Sequence, residues 1–369
     1  MLIIYTYIED SLATHLTVSI SFAARPAIRM FMKHSKIKLS ILDQSIVRKG
    51  GNAAQAIAET IATAKLAERL GYHRFWVSEH HNSTMIAGST PEVLMVKLAD
   101  ETRELRIGSG GIMLPNHSAL KVAENFRMLE TLFPGRIDLG MGRAPGGDRI
   151  SASMLNPGNT FSEDSYLQQL EHLQAFFRDE AGTQYGPLLA VPQSAGIPEQ
   201  WILSSSGGSA AIAAKYGLGL VVARFINGFA NGTMVTAYKE QFQPSDQFPQ
   251  PHTLLSITVL CAETAEKAAQ LRKLSDYVLL KFEQGLFEPL GSYEDIADYE
   301  FSPEEQARIR NNSGRIVSGT PIQVKEQLLR LADEFDTDEI IIATMTFSQE
   351  DRFRSFELLA EAFELEPRG

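Results

Sequence analysis

The chain has 369 residues, 44% of them hydrophobic, which is enough to bury a large core and too apolar for a disordered chain. Its formal net charge is −11 and its basic residues are scattered, which argues against nucleic-acid and anionic-membrane partners, since both favour clustered Lys and Arg. No apolar run reaches the roughly 20 residues of a membrane-spanning helix.

Residues 1–36 are partly hydrophobic but carry no basic leader segment and show no sustained period. They read as an extension outside the main fold, with Met30 or Met32 as a candidate natural start. From Lys38 onward, strand-like and helix-like segments alternate. Strands are expected at 38–42, 74–78, 105–114, 136–142, 200–205, 219–223, 253–261 and 338–345. In the first helical segment Ala54, Ala58, Ala62, Leu66 and Leu70 recur at four-residue steps. Asn52 can cap its start, and Gly71 stands where a C-terminal glycine belongs. Thr160 and Glu163 have capping-box spacing ahead of the helix in "FSEDSYLQQLEHLQAFF". The run "TLLSITVLC" ends in the single cysteine, Cys261, which reads as a small core residue; one thiol makes no internal disulfide and fits a reducing cytoplasm. In "TPIQVKEQLLRLADEF", Thr320 caps, Pro321 starts, and Val324, Leu328, Leu331 and Phe335 share a face.

Eight strands, each followed by a helix, indicate an α/β fold: a (β/α)8 TIM barrel in one domain over 37–369. The seventh and eighth strands are separated by more chain than one helix needs. Residues 264–313 therefore read as a helical insertion that could cover the barrel top.

Chemistry in such a barrel belongs to the C-terminal strand ends. "WVSEHHN" (76–82) ends the second strand. Alternation puts Glu79 and His81 on one face and His80 on the other, so the two histidines cannot share a metal and no metal site is expected. "SSSGGSAAIAA" (204–214) joins the fifth strand to a helix whose first amides, with Ser206, Gly207, Gly208 and Ser209, suit a phosphate. Arg143, in "MGRAPGGD", leaves the fourth strand where a cation can neutralise that phosphate. Gly108, Gly110 and Gly111 leave the third strand bare, as if something flat lay against it. Taken singly, each cluster also suits a solvated strand end, a tight turn or a structural ion pair.

In their order, "WVSEHHN", "LRIGSGGIMLPNHS", "PGRIDLGMGRAPGGD" and "SSSGGSAAIAAKYGL" resemble the bacterial luciferase-like flavin-dependent monooxygenase family over about residues 37–365. The resemblance implies FMN lying across the C-terminal mouth, with a cis peptide at Gly110–Gly111 beneath its ring. It implies phosphate contacts from Arg143, Ser206 and Ser209, with Gly207 and Gly208 in the same loop. Glu79 and His80 would stand beside the isoalloxazine as catalytic residues, His80 being the catalytic histidine. The implied activity is oxidation of a small organic substrate by oxygen and reduced FMN, the flavin supplied by a separate reductase, in a cytoplasmic homodimer. A deazaflavin-coenzyme-dependent oxidoreductase and a non-catalytic flavin-binding protein are the alternatives. Gly142 replaces the reactive cysteine of true luciferases, and Ser205 replaces an acid of their phosphate loop, so light emission is not expected.

Overall fold

The computed structural model describes residues 37–193 and 196–368; the extension expected at 1–36 lies outside them. Eight parallel strands form the centre: β1 (Lys38–Asp43), β2 (Arg74–Val77), β3 (Arg106–Met113), β4 (Ile137–Gly142), β5 (Glu199–Ser204), β6 (Gly219–Ala223), β7 (Thr253–Cys261) and β8 (Glu339–Ala343). They pair in chain order, and β8 returns to β1, with Lys38 opposite Glu339, so the sheet closes into a TIM barrel. Around it lie α1 (Ala53–Arg69), α2 (Pro91–Asp100), α3 (Ala119–Leu132), α4 (Arg149–Leu155), α5 (Glu163–Phe177), α6 (Gly207–Lys215), α7 (Thr233–Gln241), α8 (Ala265–Glu283), α9 (Pro303–Asn312), α10 (Pro321–Glu334) and α11 (Gln349–Phe363).

Strand alternation sorts the side chains into two layers. Phe75, Val77, Ile107, Leu139, Ile202, Val222, Ile257 and Ile342 join the helix residues of the main core. Leu42, Trp76, Trp201, Val221, Leu254 and Ile341 form a separate cluster inside the barrel. Below that cluster, the guanidinium of Arg74 meets Asp138 at 2.9 Å, Glu199 at 2.9 Å and Glu339 at 2.7 Å. Trp76 donates its indole N–H to Asp138 at 2.9 Å, and Arg74 stacks over the Trp201 ring. Burial alone would raise the Asp138 carboxyl, but Arg74 and Arg106 hold it below its ordinary range. Charges thus plug the N-terminal end of the barrel, which leaves the other end for ligands.

Asn52 caps α1 by accepting from the Gln55 amide, and Gly71 follows with φ +85°. Thr320 and Gln323 complete a capping box at α10. The expected box at Thr160 and Glu163 is displaced. Ser162, not Thr160, caps α5 by accepting from the Ser165 amide, and Thr160 donates to the Ser162 hydroxyl instead. The insertion is also longer than the 264–313 reading. After α8 and α9 a further strand, Ile316–Gly319, pairs with β7 from Thr258 to Cys261, above the height where β6 ends. Leu290 bonds to Val47 and Lys49, and Leu274, Leu290 and Ile296 pack on Ile46 and Phe347. The insertion therefore covers the β1–β8 side of the mouth. Cys261 is buried, and burial pushes its thiol up to about 12.

Candidate active site

Glu79 follows β2 on the same face as Phe75 and Val77, so it points away from the barrel axis. Its carboxylate is 0% exposed and serves four donors. His81 Nε2 lies 2.8 Å from Oε1, and the Met113 amide donates to Oε2 at 2.8 Å. Asn116 Nδ2 lies 3.1 Å from Oε1, and His117 Nε2 lies 3.0 Å from both oxygens. Burial by itself would raise this carboxyl; the bonds from His117, His81 and Met113 hold it below its ordinary value. Burial pulls His117 down, yet the Glu79 carboxylate keeps it above the ordinary histidine value. The expected sharing of a face by Glu79 and His81 is present. Glu79 is nevertheless shut away from the mouth, which does not suit the expected place beside a flavin ring.

His80 lies on the opposite face, with Trp76. Its amide donates to Gly88 at 2.9 Å. Burial lowers its imidazole pKa, opposed by the Gly146 carbonyl and by Glu79. A half-buried imidazole kept neutral near pH 7 is equipped to accept a proton.

The Gly110–Gly111 peptide is cis. The bare strand has a cause inside the protein itself. A Cβ on Gly110 would come within 2.7 Å of Leu42, and one on Gly111 within 2.7 Å of the Gly140 carbonyl. One on Gly108 would overlap the Trp76 indole. Barrel packing by itself thus leaves little room for side chains at Gly108 and Gly111, while at Gly110 the end of the Leu42 side chain would have to shift.

Arg143 and the first turn of α6 come together as expected. A Cβ on Gly208 would lie 3.9 Å from Arg143 Nη2, and one on Gly207 would meet nothing within 4 Å. Ser206 occupies the N-cap position with no side-chain cap bond, so the leading amides of α6 stay open. Ser206 is exposed and Ser209 buried in the first turn. Arg143 also pairs with Glu163 at 2.7 Å. The Ser205 carbonyl accepts from Asn227 at 2.8 Å, which anchors the loop to the exit of β6. An Arg beside uncapped amides fits a phosphate group.

Two further features were not read from the sequence. Asn116 and His117 stand in "LPNHS", directly after β3, where two polar residues at a strand exit were the available signal. Around the mouth, large apolar side chains are exposed: Ile150 and Met154 on α4, Ile226 and Phe229 after β6, Phe282 and Phe287 at the end of α8. Met154 is 77% exposed and Phe229 74%. Among the described residues, no helix is long and apolar enough to cross a membrane.

The family model for luciferase-like monooxygenases matches residues 37–338. The chain belongs to that family, whose members are oxidoreductases. It is 48% identical to the Bacillus subtilis protein YwcH over 89% of this chain and 99% of that protein. It is 37% identical to N-acetyl-S-alkylcysteine monooxygenase of Bacillus subtilis over 88% of this chain and 98% of that protein. The crystal structure of apo-MsnO8 superposes with a TM-score of 0.85 at 37% identity, covering 91% of this chain and 100% of that one. Two solved structures share the fold alone. One is the oxygenating constituent of 3,6-diketocamphane monooxygenase from Pseudomonas putida in complex with FMN (TM-score 0.66, 17% identity, 88% of this chain and 97% of that one). The other is an F420-dependent secondary alcohol dehydrogenase (0.62, 13%, 89% and 98%).

Proposed function

We propose that the chain is an FMN-dependent monooxygenase that uses reduced FMN and oxygen to oxidise a small organic substrate. The observation that carries this reading is Arg143 beside the open first turn of α6, at the same barrel end as His80. Arg143 and the α6 amides, with Ser206, Gly207, Gly208 and Ser209, would hold the phosphate. The Gly110–Gly111 stretch of β3 would support the ring. When bound, reduced flavin supplies oxygen activation; the protein supplies position, dryness and proton control. His80 takes and returns a proton at its imidazole, and the packed cluster of Leu42, Trp76 and Trp201 excludes water from below. The apolar rim of Met154, Phe229 and Phe287 suits a substrate with apolar surface.

The same reading includes a separate reductase as flavin donor, a cytoplasmic location and a homodimer. Support for the last is the exposure of Val93 and Val96 on α2 and of Met128 and Leu132 on the neighbouring α3. The test is flavin absorbance of the purified protein, followed by oxygen uptake and substrate turnover with reduced FMN. Absence of uptake would remove the monooxygenase reading. Binding and reduction of a deazaflavin coenzyme would then favour the hydride-transfer alternative, and flavin binding without turnover would favour a carrier.

A further inference from the structure

Glu79 joins the exits of three strands. It is itself the second residue past β2, and it receives the Met113 amide and the Asn116 and His117 side chains from the exit of β3. Asn116 Nδ2 also donates to the Pro145 carbonyl at 2.8 Å, beyond β4, and the His81 amide donates to Gly146 at 3.1 Å. His80 sits in the middle of this framework. Its own amide is held by Gly88, its neighbour His81 is pinned at both ring and amide, and its ring faces the Gly146 carbonyl.

We propose that Glu79, Asn116 and His117 are positioning residues: a clamp with a buried carboxylate at its centre that fixes the His80 imidazole in the mouth. This rests on the reading of His80 as the proton-handling group of a flavin oxidoreductase. An ionised carboxylate only accepts, so His81 and His117 must both present Nε2–H to it. That requirement fixes two tautomers and two ring planes at once. The groups that face His117 are Glu79 and, from α2, Glu92, with His81 across the same carboxylate. One buried negative charge supports one imidazolium well; a second proton meets the repulsion of the first. Hydrogen bonding to the Glu79 carboxylate favours the proton at His117, and the chemistry is left to His80.

The proposal is tested first on flavin-free protein, by NMR of the histidine ring nitrogens. His81 and His117 are expected as Nε2–H tautomers, with His117 titrating above the ordinary value of about 6.5 and dropping below it in Glu79→Gln. An Nδ1–H tautomer at His117, or titration below 6.5 in the unaltered protein, overturns the clamp whatever the fate of the flavin reading. Turnover then separates positioning from proton transfer. His117→Gln keeps a donor for Glu79 and should retain activity within about threefold. His117→Leu should lose about 10- to 100-fold in kcat at unchanged FMN affinity, the usual range for residues acting through another, and should shift the His80 ring signals. If the glutamine variant is as inactive as the leucine variant, the His117 ring itself carries the proton and the proposal fails. A fully active leucine variant also overturns it. Absence of oxygen uptake in the unaltered protein would instead sink the monooxygenase reading, leaving the NMR result to decide the clamp.

Discussion

At the residue scale, the two adjacent imidazoles have different surroundings, and the proposed function gives them different tasks. His81 is tied to Glu79, while His80, on the opposite face of the strand end, meets the Gly146 carbonyl and has a lowered pKa. His80→Ala is expected to keep FMN affinity and to lose about 10²–10⁴ in turnover, the range for a general acid or base. The measurement is oxygen-dependent turnover at matched flavin occupancy, with His81→Ala expected to lose far less. A dead His81→Ala beside an active His80→Ala would invert the face assignment, and no loss in either would leave the cluster as a strand cap. Arg143 invites a second comparison. Arg143→Ala should weaken FMN about ten- to hundredfold, the worth of one charge-assisted bond, and leave riboflavin binding unchanged. Equal losses in fluorescence titrations of the two flavins would place Arg143 away from the phosphate.

At the scale of elements, β3 and β4 can lie close only because glycines line their shared inner face. A Cβ on Gly140 would fall inside contact distance of the Ser109 carbonyl and 3.0 Å from Leu203. Backbone cannot swing aside as a side-chain end can. Gly140→Ala is therefore expected to destabilise by about 1–3 kcal/mol or more, the cost of overpacking, read as a fall in the denaturation midpoint at unchanged slope. A midpoint within error of the parent would show that the two strands part without cost. The ends of helices show how far local rules reach. The caps at Asn52 and Thr320 are legible because side chain and amide lie within one turn. The Thr160–Glu163 spacing also obeys the rule. However, Phe161 adopts φ +53° and the chain enters α5 two residues later, so Ser162 takes the cap.

For the whole molecule, the charged plug at the N-terminal end ties together four strands. His73, just before β2, has its pKa lowered to about 4 by burial, with Glu339 opposing and Arg74 assisting. A histidine whose folded pKa lies below its unfolded value of about 6.5 binds more protons when unfolded. Its contribution is complete above pH 6.5 and is lost as pH falls from there to about 4. Allowing for its partial exposure, about 2 kcal/mol is at stake over that window. Urea denaturation from pH 7 to 4 should show this loss, and His73→Phe should flatten it; an equally steep decline in the variant would assign the effect to other groups. Arg74→Met would leave Glu339 buried without its arginine and Asp138 with Arg106 alone, at a cost of about 3–5 kcal/mol read as a fall in the denaturation midpoint.

The sequence by itself determined the eight strands, the main helices and the barrel, because buried parallel strands and amphipathic helices are written in local period. It also determined that Glu79 and His80 face opposite ways, a consequence of alternation alone. Resemblance supplied the flavin and the family, and the family is the part that comparison bears out. Tertiary structure decided what depends on residues far apart in the chain. It showed that Glu79 is enclosed by Met113, Asn116 and His117, that the β3 glycines make room for Trp76 and Leu42, and that Arg74 gathers carboxylates from β4, β5 and β8. Hydrogen bonds and close contacts between strands have no period in the sequence. They exist only once the sheet has closed and brought the strand ends within reach.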